Sequence, residues 1–104
     1  MIEGGEQRAA KNAAVRGYII RSLVKGHNNS LLCRQLVNVM LRDGIIISPD
    51  ISVYLNYLEK RGYIEYTNDK ITSYTAYLND AMLRLTPDGE MLVEGHKDDP
   101  GVDI

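Results

Sequence analysis

The chain has 104 residues, a net charge of −2 and 44% hydrophobic content. That length suits one domain with a modest core and excludes most two-layer enzymes. No apolar run approaches a membrane span, and the single cysteine, Cys33, excludes an internal disulfide and a cysteine-pair zinc site.

In chain order, MIEGGEQRAAKNAA has no apolar signal core, so a cytoplasmic protein is expected. A first helix is predicted over 6–25. Ala10, Ala14 and Tyr18, with Val15, Ile19 and Leu23, recur at three- and four-residue steps and build one apolar stripe. Gly26 suits a left-handed helix end. After the polar HNNS turn, Ser30 is the predicted N-cap of a second helix over 31–43, with Leu32, Leu36, Val39 and Met40 on its inner side. IIIS reads as a short buried connection.

Ser48, Pro49 and Asp50 form a start signal for a third helix over 49–61. Ile51, Leu55 and Leu58 cluster on its inner side. YIEYT and MLRLT alternate and predict strands at 63–67 and 82–86, with Ile64, Leu83 and Leu85 inward. Between them, Asn68-Asp69 and Asn79-Asp80 are turn signals, and 68–81 fits either a long hairpin tip or a loop with its own short strand. TPDGEMLVEG predicts a last helix over 87–94, capped by Thr86. HKDDPGVDI is a polar, acidic end expected to lie loose unless a neighbouring surface holds it. Leu23, Leu36, Leu55, Leu58, Ile64 and Leu85 should share one core.

Charge is uneven. Residues 1–46 hold seven Lys/Arg against three acids, and residues 47–104 hold five against eleven. A phosphate-bearing partner should feel the first half more.

Three helices followed by a hairpin is the element order of a winged helix-turn-helix domain. ISVYLNYLEKRGYIEY resembles the end of the recognition helix and the first wing strand of ArsR, MarR and PadR-type regulators. LRLTPDGEMLVEG resembles their second wing strand and closing helix. Taken whole, with its PGV ending, the chain also resembles small winged-helix proteins of Mu-like phages. The resemblance implies an α+β, mainly α fold: a winged-helix domain over 1–95, with three core helices, a β-hairpin wing and a short last helix, then an acidic flexible tail over 96–104.

It further implies a DNA-binding transcriptional regulator that puts its third helix into the major groove. Ser52, Val53, Tyr54, Asn56 and Tyr57 would face base edges, with Lys60 and Arg61 at the far end. Lys70 would be the basic wing residue, and Arg34, with Arg21 and Lys25, would lie near phosphates. The face has no arginine, and Asp50 opposes phosphate. Such a domain would act as a homodimer through its first and last helices, the first of which opens with the small residues Ala9, Ala10 and Ala13 or Ala14. The other expectation is a protein-binding module without DNA reading, because six of seven tyrosines fall between 54 and 77, with Tyr74 and Tyr77 placed for exposed contacts.

Cys33 reads as a partly buried structural thiol. His27 and His96 lack ligands at metal spacing, so neither metal nor cofactor is expected. No nucleophile–base pair, phosphate-cradling glycine loop or paired-carboxylate motif is present, so a non-enzyme is expected.

Overall fold

The computed structural model describes residues 2–104, with side chains from residue 5 onward. Among them are four α-helices and a three-stranded antiparallel sheet, an α+β arrangement dominated by helix. The helices are α1 (Ile2–Lys25), α2 (Cys33–Arg42), α3 (Ser52–Lys60) and α4 (Pro87–Val93). The strands are β1 (Ser30–Leu32), β2 (Ile64–Tyr66) and β3 (Met82–Leu85). No described helix is long and apolar enough to cross a membrane.

One core joins the elements. Val15, Ile19, Ile20 and Leu23 of α1 meet Leu36, Val37 and Met40 of α2. Leu55 and Leu58 of α3, with Ile64, Leu83 and Leu85 of the sheet, close it from the other side. All six core residues expected from the pattern are buried. The helical wheel of α2 is turned slightly from expectation: Val37 is fully buried, Val39 is half-buried and Leu32 is exposed.

The sheet holds the main departure. β3 is central, with β2 on one edge and β1 on the other. Leu31 faces Leu83 across one pair and Ile64 faces Leu85 across the other. Ser30 is therefore the first residue of a strand and not a helix cap. Pairing on both edges satisfies the backbone groups of β3, which a lone hairpin would leave open. Ser30, Leu31 and Leu32 do not alternate polar and apolar, so β1 is silent in the sequence.

α2 is capped from afar. The Cys33 N–H donates to the Ala81 carbonyl at 2.8 Å, and the Arg34 N–H donates to Asp80 Oδ1 at 3.0 Å. The α1 end differs as well. Gly26 is extended (φ −77°, ψ 162°), and Asn28 and Asn29 take the left-handed conformation. Gly26 is needed for another reason, since a Cβ there would collide with the Ser30 carbonyl. The connection after α2 is less buried than expected: Ile45 and Ile46 are half-buried and Ile47 is 100% exposed.

Candidate functional site

α3 is set by its two ends. Ser48 Oγ accepts the Asp50 N–H at 3.4 Å, and Asp50 Oδ1 accepts the Ser52 N–H at 3.0 Å. The helix thus starts at Ser52, three residues beyond the expected start at 49; its N-cap position is Ile51, without a side-chain cap, and Asp50 braces the turn just before it. The hydrogen bond from Ser52 holds the Asp50 carboxyl below its ordinary range. At the other end Gly62 takes φ +79°, and the chain turns directly into β2.

Buried Leu55 and Leu58 turn one side of α3 inward. The opposite side carries Val53, 67% exposed, then half-buried Asn56 and exposed Lys60 one and two turns on. Ser52 flanks this line and is half-buried. Tyr54 is turned further round and packs against the core.

Tyr57 is committed elsewhere. Two guanidinium groups pack on its ring, Arg16 at 3.8 Å and Arg61 at 4.8 Å from the ring centre. Its hydroxyl donates to Asp99 Oδ1 at 3.2 Å. Asp99, only 6% exposed, also accepts the Tyr63 hydroxyl at 2.6 Å and the Gly101 N–H at 2.8 Å, and it lies 3.6 Å from Arg61. Burial alone would raise the Asp99 carboxyl, but the donors Tyr63, Gly101 and Tyr57 and the Arg61 charge outweigh it and hold it low. Burial and the same carboxylate push Tyr63 up to about 12.

The 96–104 segment therefore has the neighbouring surface it needs. Arg16 Nη1 donates to the Gly101 carbonyl at 3.0 Å, Arg21 Nη1 to the Asp103 carbonyl at 2.9 Å, and the Asp103 N–H to the Ala13 carbonyl at 3.0 Å. Val102 is buried. A Cβ on Gly17 would strike the Asp103 carbonyl, and one on Gly101 would strike the Tyr57 hydroxyl. Sequence reasoning missed Arg16, Tyr63 and Asp99, and it set Arg61 at the far end of the α3 face, whereas Arg61 turns to Tyr57 and Asp99. The available signals were Gly17 inside a helix and the Pro100-Gly101 turn.

Residues 68–81 form successive turns without a strand. Buried Ala76 anchors them to the core. Arg34 ties them down: Nε donates to the Tyr77 carbonyl at 3.0 Å and Nη2 to the Leu78 carbonyl at 2.8 Å. Arg34 thus spends two donors on the loop. Lys70 is exposed at the loop's near turn, where its N–H donates to Asn68 Oδ1 at 2.9 Å. Tyr74 (65% exposed), Tyr77 and Leu78 (74% exposed) border a depression of about 250 Å³ with Pro49, Asp50 and Ser52 at the start of α3.

Cys33 is fully buried, and burial, with Asp80 nearby, pushes its thiol up to about 11. Among the described residues no group of three or more His, Cys, Asp or Glu side chains converges. Comparison with protein-family models, curated proteins and solved structures found no match.

Proposed function

We propose that the chain is a winged-helix DNA-binding protein of the regulator type, with α3 as the element that enters the major groove. The observation that carries this reading is the side of α3 opposite its buried leucines, where Val53 and Lys60 are exposed and Asn56 is half-buried. A single helix fits a groove about 12 Å wide, and an Asn side chain can pair with an adenine edge. Lys60 and Lys70 supply charge at the two ends of the surface. β2 and β3 form a short wing whose tip is built from turns. Fluorescence anisotropy with duplex DNA tests the reading, using Asn56→Ala and Lys60→Ala. Absence of salt-sensitive binding at micromolar protein counts against it.

The working unit in this proposal is a homodimer through α1 and α4. Ala9, Ala10 and Ala14 are exposed on α1 and Met91 is exposed on α4, so both helices keep apolar surface outside the core. Two copies would present two third helices to a palindromic site. Light scattering that returns a one-chain mass removes the dimer.

A second reading, a protein-binding module, is favoured by exposed Tyr74, Tyr77 and Leu78 beside Pro49. Tyrosine and leucine clustered around a depression suit a protein interface. A stoichiometric partner lost on Tyr74→Ser with Leu78→Ser, in a chain without DNA affinity, would select it.

A further inference from the structure

We infer that residues 98–103 act as an internal acidic ligand, masking an anion-binding cleft between α1 and α3 that nucleic-acid phosphates enter when the segment is displaced. This rests on the DNA-binding reading and adds a regulatory device to it. The basic first half of the chain raises the question of where its arginines go, and three arginines of the molecule converge on this one short segment. Arg16 and Arg21 donate to the Gly101 and Asp103 carbonyls, and Arg61 pairs with the Asp99 carboxylate. Two tyrosine hydroxyls complete the shell around Asp99. One guanidinium and two hydroxyls around a carboxylate, with two further guanidinium groups on the neighbouring carbonyls, are also donors of the kind that recognise a phosphate.

Two observations mark the cleft as more than a resting place for the chain end. Arg16 Nε is buried without a partner, so the segment leaves a donor unsatisfied that an anion richer in acceptor oxygens could meet. Arg16 and Arg61 both stack on Tyr57, and Tyr57 stands on α3 beside Val53, Asn56 and Lys60. Unmasking the cleft therefore adds positive charge next to the helix face proposed to read DNA. It also accounts for how a face with no arginine of its own could hold a polyanion.

The test uses two variants of the full chain that change no charge. Gly17→Ala puts a methyl group into the Asp103 carbonyl while improving helix propensity, so α1 is kept. Gly101→Val drives the turn off the Tyr57 hydroxyl. Release is read from faster exchange of the Asp103 N–H, which donates to Ala13 in the closed form. Both variants should elute from heparin at higher salt than the parent chain. Their affinity for a random-sequence duplex should rise about tenfold, with the log–log salt slope steeper by about 0.9 for each freed arginine that meets a phosphate. Unchanged elution salt and slope in the released variants overturn the inference, and so does an Asp103 N–H that stays protected in both. Adding Asn56→Ala to Gly17→Ala separates the two claims: duplex affinity indifferent to residue 56 sinks the α3 reading and leaves the masked cleft standing.

Discussion

Tyr63 donates its hydroxyl to the Asp99 carboxylate at 2.6 Å, across 36 residues of chain and at a place where both side chains are buried. The bond joins the start of the strand segment after α3 to the far end of the molecule. Tyr63→Phe keeps the ring and removes the donor. It should lower stability by about 1–3 kcal/mol in urea unfolding, because the carboxylate stays buried with one partner fewer. A change within experimental error would show that the 97–104 segment is not coupled to the core.

The same carboxylate governs acid stability. Asp99, Asp50 and Asp43 are all held below the ordinary aspartate value, Asp43 chiefly by the Tyr18 hydroxyl. A folded-state pKa below the unfolded one stabilises above the unfolded value, about 4, and that stability is lost as pH falls through the folded values. The thermal midpoint should therefore drop below about pH 4. Asp99→Asn should be less stable at pH 7 and show a flatter acid limb. An acid limb identical to the parent's would mean that Asp99 does not share in the effect.

Arg34 was expected near phosphates, yet its guanidinium holds the Tyr77 and Leu78 carbonyls. Arg34→Ala should cost about 1–3 kcal/mol and speed amide exchange around 77–81. A variant that weakens DNA binding while leaving exchange in that loop unchanged would instead assign Arg34 to phosphate.

Cys33 offers a clean probe of opening. The thiolate is the reactive form, and burial pushes the thiol up to about 11. Disulfide-reagent labelling at pH 8 should be slow in the native chain and should accelerate in denaturant in step with unfolding. Rapid native labelling would place the sulfur at a surface.

Leu55→Ala should destabilise by about 2–5 kcal/mol, because the leucine is almost wholly buried between α1 and the sheet. Val53→Ala, on the exposed line of the same helix, should stay within about 0.5 kcal/mol. Equal effects would contradict the assigned faces of α3.

Periodicity was enough to find the helices, the strands 64–66 and 82–85, and the inward leucines, since burial of one face repeats along the local chain. Thr86 could be recognised as a cap because its partner, the Gly89 N–H, lies three residues away. The same local logic found Val53 exposed on the side of α3 away from its leucines, with Asn56 half-buried beside it. What escaped depends on groups far apart in sequence. β1 exists because β3 has a second edge, and Asp80 caps a helix that starts 47 positions earlier. Tyr57 and Arg34 look like surface contacts on a helical wheel. Only the tertiary structure brings Asp99 to one and the Tyr77 and Leu78 carbonyls to the other. A wheel records angle about one helix axis and carries no information on which distant segment covers a given angle.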